Sequence, residues 1–110
     1  HPLEGTERFH YGVDLAADTG TAIACFADGT VTAVGESSSY GKYCTVTHAN
    51  GCATLYAHCG RISVSSGAAV KKGEKLGEVG ETGMATGPHL HFELQKDGVY
   101  LNPIYYVETA

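Results

Sequence analysis

Asn50-Gly51 constrains this chain more than any other feature. Both residue types tolerate positive φ, and a strand-like run lies on either side of the pair. It predicts a hairpin of strands at 43–47 and 52–58, joined through residues 48–51. The same punctuation recurs along the chain, which carries 15 glycines. Between them lie short runs rich in Val, Thr, Ile and Tyr at 22–25, 30–35, 75–79, 89–95 and 100–101, each reading as a further strand. No window sustains a helical period. The expected fold is all-β and mainly antiparallel, a small sandwich- or barrel-like sheet domain with long loops.

At 110 residues, residues 1–110 read as one domain, large enough to bury a core without staples. Hydrophobic residues make up 43% and charged residues 17%, the balance of a folded globular chain. The net charge of −5 is the opposite of a nucleic-acid binder's, which sets that class aside. The longest apolar runs are too short to cross a membrane, and no signal peptide is visible. The chain opens at His1-Pro2 without a methionine, which reads as a fragment of a longer protein with anchoring or targeting modules outside it.

The chemistry is concentrated in the six histidines. His10 and Asp14, in Phe9-His10-Tyr11-Gly12-Val13-Asp14, pair an imidazole with a carboxylate, both good Zn²⁺ ligands. Gly12 allows the bend that brings them together. His89 and His91, in Gly87-Pro88-His89-Leu90-His91-Phe92-Glu93, stand at i and i+2 of a strand and project from one face, with Leu90 and Phe92 on the other. His58 ends Leu55-Tyr56-Ala57-His58, where strict alternation gives Tyr56 and His58 one face, Leu55 and Ala57 the other. Each piece alone has a bland reading as surface or strand-end His. Together they supply mixed His/Asp ligands with one position left open, the layout of a catalytic zinc site, and histidines to spare for proton transfer. Zinc brings the pKa of a coordinated water to about 7.

Taken together, these stretches resemble the lysostaphin/LytM-like zinc metalloendopeptidases. The matching segments are His10-Tyr11-Gly12-Val13-Asp14, Ala27-Asp28-Gly29-Thr30-Val31, Thr54-Leu55-Tyr56-Ala57-His58, the run from Gly83 to Glu93, and Asn102-Pro103. The resemblance implies that His10, Asp14 and His91 bind Zn²⁺, with His58 and His89 as the catalytic pair. It implies a groove walled by loops, and peptidoglycan stem peptides or cross-bridges as substrate, some members cutting glycine-rich linkages. The implied place of action is extracellular, in a bacterial cell envelope. An acidic domain is not steered to a wall rich in anionic polymers, so any targeting would come from elsewhere. Some relatives have lost zinc ligands and only activate other hydrolases; this chain keeps all five positions. A non-catalytic wall-binding or activator domain is the alternative, and a zinc amidohydrolase a third reading, separable by whether the sugar's lactyl group is freed.

The Gly80-to-Gly87 loop lacks the Lys-Ser/Thr ending and following helix of a phosphate loop; it reads as a groove wall that delivers His89. Tyr40-Gly41 reads as another groove loop, with Tyr40 a substrate contact. The segment Val70-Lys71-Lys72-Gly73-Glu74 reads as a solvated turn, and His48 as structural. Four cysteines in an extracellular domain suggest disulfides. The hairpin register sets Cys44 against Ala57 for a two-residue turn, or against Leu55 for a four-residue loop. Either leaves Cys44 roughly 10 Å or more from Cys52, beyond the span of about 7 Å that a disulfide bridges. Cys52 and Cys59 share a strand. At most one bridge is expected, and it would use Cys25.

Overall fold

The computed structural model describes residues 12–83, 87–96 and 99–101. Its strands are β1 (Gly12–Ala16), β2 (Ala22–Ala24), β3 (Gly29–Ser37), β4 (Gly41–His48), β5 (Cys52–Ile62), β6 (Ala69–Val70), β7 (Lys75–Val79), β8 (His89–Lys96) and β9 (Val99–Leu101). All pair antiparallel in one connected sheet, ordered β1-β8-β5-β4-β3-β6, with β9 beside β8 and the β2–β7 ribbon attached through β7 to β5. The all-β antiparallel expectation holds. Among the described residues there is no α-helix, and no helix long and apolar enough to cross a membrane.

The Asn50-Gly51 hairpin forms between β4 and β5. Its turn is a single 3₁₀ turn at Ala49–Gly51, with Gly51 at φ 75°. Thr47 therefore pairs with Ala53 and Cys44 with Tyr56, a register between the two considered from sequence. Two elements were not foreseen. One is β6, whose Val70 is buried rather than part of the charged turn that follows it. The other is β1: Gly12 begins a strand, where a bend had been expected.

Alternation in β4, β5 and β8 sends one set of side chains inward. Cys44, Val46, Tyr56, Phe92 and Leu94 meet Ile23 of β2 and Leu76 and Val79 of β7 in one apolar cluster, giving the sandwich-like core. Burying side chains of this kind stabilises the fold by about 1.5–3 kcal/mol each. The polar groups inside are satisfied. Tyr56 Oη accepts from the Phe26 backbone N–H at 3.0 Å and is hydrogen-bonded to the Thr54 hydroxyl at 2.8 Å. Thr54 Oγ1 in turn lies 2.8 Å from His48 Nε2, so His48 is structural. All four cysteines are free, within the limit of one bridge. Burial pushes the Cys44 thiol up to about 12 and the Cys59 thiol up to about 11. Both sulfurs belong to the core, so neither is offered to the polar face.

Candidate metal centre and active site

The β1–β8 ladder builds the first part of the site. Asp14 stands opposite His91 and Ala16 opposite His89. Directly paired residues share a face, so Asp14, His89, His91 and Glu93 emerge on the side away from Phe92. Asp14 Oδ1 lies 2.8 Å from His91 Nδ1 and 3.7 Å from His89 Nε2. The sequence argument for His89 and His91 on one face, with Leu90 and Phe92 turned to the core, holds. The contacts expected of Asp14 with His10 fall outside the described residues, because His10 does.

His58 reaches the same place by a different route, and here simple alternation fails. Tyr56 points into the core, so strict period-two geometry would turn His58 to the same side of the sheet; His58 is buried, at 8% exposure, but on the other side. The β4–β5 ladder slips: Lys42 pairs with Cys59 but Cys44 with Tyr56. Two steps on β4 thus face three on β5, which is a β-bulge. His58 takes φ 62°, the only positive φ at a non-glycine among the described residues. That conformation costs about 1–2 kcal/mol and turns the ring to the opposite face from Tyr56. Its centroid then lies 5.0 Å from that of His89 and 6.0 Å from that of His91. The bulge is held by the His58 N–H donating to Tyr40 O at 2.7 Å and the Gly80 N–H donating to His58 O at 3.2 Å.

The two histidines His58 and His89 are oriented alike. His58 Nδ1 lies 2.7 Å from Thr82 O, and His89 Nδ1 lies 2.9 Å from Gly87 O. A carbonyl only accepts, so in each ring Nδ1 carries the hydrogen, and Nε2 is left with its lone pair. Both rings are thereby prepared for proton transfer at Nε2. His91 differs. Its Nε2 lies 2.9 Å from Glu93 Oε2 and its Nδ1 faces Asp14. The Glu93 hydrogen bond, with that of Asp14 behind it, raises the His91 pKa above its ordinary 6.5, against the opposing effect of burial.

Asp14 and His91 present oxygen and nitrogen donors of the type zinc takes, one hydrogen bond apart. Among the described residues no three such groups form a complete metal cluster; the pair fits two corners of a site whose third expected ligand, His10, is not described. Tyr40 is half-buried at the rim. Its hydroxyl donates to Glu93 Oε2 at 2.9 Å, and its ring stacks on His91 at 5.9 Å and 26°.

Two residues of the site drew no role from the sequence. Glu93 lies two positions beyond His91, and same-face spacing was the available signal for it. Thr82 had no signal. Its hydroxyl donates to Cys59 O at 2.6 Å and accepts from the Lys42 N–H at 3.0 Å, while its carbonyl holds His58. The turn carrying it packs so closely on Gly41 that neither Gly41 nor Gly83 has room for a Cβ. Residues 84–86 of the expected groove wall lie outside the described residues.

Comparison with known proteins places this geometry. The model of Peptidase family M23 matches residues 8–103. The DD-carboxypeptidase/endopeptidase Mpg of Neisseria meningitidis is 45% identical over 104 residues, covering 94% of this chain and 24% of that protein. The peptidoglycan DD-endopeptidase ShyC of Vibrio cholerae is 41% identical over 107 residues, again covering 94% and 24%. The chain thus spans about a quarter of the length of these relatives. Among solved structures, the catalytic domain of the antimicrobial peptidase lysostaphin from Staphylococcus simulans superposes with TM-score 0.86 at 28% identity, covering 99% of this chain and 86% of that one. A zinc-containing peptidase from Vibrio cholerae gives TM-score 0.81 at 36% identity, covering 84% and 28%.

Proposed function

Because this chain belongs to peptidase family M23, we propose that it is a zinc-dependent endopeptidase that hydrolyses peptide bonds in bacterial peptidoglycan. One observation carries the reading: side chains from three separated strands, Asp14, His58 and the His89/His91 pair, meet on one face of the sheet. His58 gets there only by adopting a strained backbone conformation, and strain of this kind concentrates at functional sites. The names of the relatives, which include DD-endopeptidases of peptidoglycan, favour a DD-type cross-link as the bond cut. They also favour the cell envelope as the place of action.

In this reading His10, Asp14 and His91 hold the zinc ion. When bound, zinc supplies a Lewis acid that acidifies water and polarises the scissile carbonyl. The protein's own part is proton management. His58 and His89 present unprotonated Nε2 atoms on neighbouring rings, with Nδ1 tied to backbone carbonyls so that neither ring rotates. One of the two accepts the proton of the attacking water at Nε2; the imidazolium so formed stabilises charge on the former carbonyl oxygen and then gives that same proton to the leaving nitrogen. Tyr40, half-buried at the rim, contacts the substrate peptide.

The test is mass analysis of fragments released from defined peptidoglycans. Zinc-loaded protein is expected to free new amino termini, a chelator to stop the release, and His10→Ala to release none. Absence of release from several wall chemistries, with zinc demonstrably bound, would sink the proposal.

A further inference from the structure

We propose that Glu93 is a positioning residue of the metal centre, anchored by Tyr40, that selects which nitrogen of His91 faces Asp14. The inference rests on the reading that Asp14 and His91 are ligands, and extends it to residues to which that reading gives no part in holding the metal.

An imidazole has two nitrogens, and a neutral ring carries its hydrogen on one of them. Which one is free to ligate is decided by what the other is bonded to. Glu93 Oε2 lies 2.9 Å from His91 Nε2, and a carboxylate only accepts. Asp14 Oδ1, 2.8 Å from Nδ1, accepts as well, so the protonated ring donates to both carboxylates, and in the neutral ring the firmer of the two holds keeps the hydrogen while the other nitrogen is left with its lone pair. The two carboxylates around this ring are not equivalent. The Asp14 side chain is 64% exposed, that of Glu93 12%. A sheltered charge-assisted bond is stronger and less dissipated by water than an exposed one. Glu93 is thus the firmer hold, and the open carboxylate is the one left for the ion.

Glu93 is itself fixed. The Tyr40 hydroxyl donates to the same Oε2 at 2.9 Å, and the Tyr40 ring stacks on His91. The Tyr40 backbone carbonyl accepts the His58 N–H at 2.7 Å within the bulge. One residue therefore braces the ligand through its side chain and the proton-transfer histidine through its main chain. A purely structural role for Glu93 would fix the loop but leave the tautomer of His91 indifferent to its identity.

The experiment has two arms. Zinc affinity of the protein is measured by competition with a chromophoric chelator, and the His91 tautomer is read from imidazole ¹⁵N shifts of the zinc-free protein at alkaline pH. Wild type is expected to bind zinc and to show hydrogen on Nε2. Glu93→Leu is expected to weaken zinc binding about 10- to 100-fold, the usual range for loss of such a partner, and to lose the Nε2–H preference. Glu93→Gln, which keeps the shape and lowers the risk of misfolding, and Tyr40→Phe, which keeps the stacked ring, should each show a smaller loss in the same direction. Unchanged affinity and unchanged tautomer in Glu93→Leu and Glu93→Gln would overturn the proposal. If wild type fails to take zinc, the metal reading is what falls, and the tautomer arm still decides the role of Glu93.

Discussion

Tyr56 and Phe92 stand opposite each other on one face of the β5–β8 ladder; one residue further along, Ala57 and His91 stand on the other. The first face is sealed: Tyr56 and Phe92 are 1% and 3% exposed and meet edge to face at 5.4 Å. The second carries Asp14, His58, His89, His91 and Glu93, bonded to one another and to backbone carbonyls. The same strands thus supply stability on one side and chemistry on the other. The difference teaches that the polar face is held by directional bonds to a scaffold made rigid from behind. It also predicts that substitutions on the two faces fail in different ways.

The largest effect should come from the sealed face. Phe92→Ala is expected to cost about 3–5 kcal/mol, the usual range for truncating a buried aromatic. That is a large part of the total stability of about 5–15 kcal/mol for a typical domain. Urea unfolding of the zinc-free protein measures it, and a cost under about 1 kcal/mol would show that the two faces are not as different as drawn. On the polar face, His89→Ala should lower the rate of peptidoglycan cleavage by about 10²- to 10⁴-fold, the range for losing a proton-transfer group. Its unfolding free energy should stay within about 1 kcal/mol of wild type. A mutant that unfolds but retains its rate would reverse the assignment.

His58 belongs to the polar face by position but is strained into it, so it tests where the two faces meet. Both His58→Ala and His58→Gly should lose activity. The glycine variant should nevertheless be the more stable of the two by about 1 kcal/mol, because a Cβ at positive φ is penalised and glycine is not. The opposite order in denaturant melts would mean that the bulge is relaxed in solution.

The smallest effect is one of pH. The His91 pKa is raised in the fold, first by Glu93. Its contribution to the stability of zinc-free protein is therefore full below the unfolded value of about 6.5 and lost as pH rises through the folded value. Zinc binding must run the other way, since protons compete for the ligand. The stability difference between wild type and His91→Gln, both chelator-treated, should shrink from pH 5.5 to pH 8, a range of about two and a half units chosen to span the ordinary imidazole pKa. A difference that grows with pH would contradict the Glu93 contact.

The architecture was largely legible in the residues themselves. Asn50-Gly51 specified the hairpin, because positive φ at a turn is a local property of the two residues that make it. His89 and His91 specified a shared face, because the period of a strand is local too. What the sequence left open was the number of residues in that turn, hence whether Cys44 met Leu55 or Ala57; the observed partner, Tyr56, lies between them.

The side of the sheet that His58 joins was decided only by tertiary structure. Its alternation with Tyr56 assigns it to the same face as Tyr56. The β4–β5 register slip reverses that assignment, and the slip is held by contacts from Tyr40 and Gly80, distant in sequence from His58. Glu93 likewise had a legible face but no legible partner, because nothing local to residues 91–93 brings the Tyr40 hydroxyl to its carboxylate. Periodicity reads which way a regular strand points. It does not read where a strand stops being regular, because that depends on the mismatch between two strands and on the loops that lock it in place.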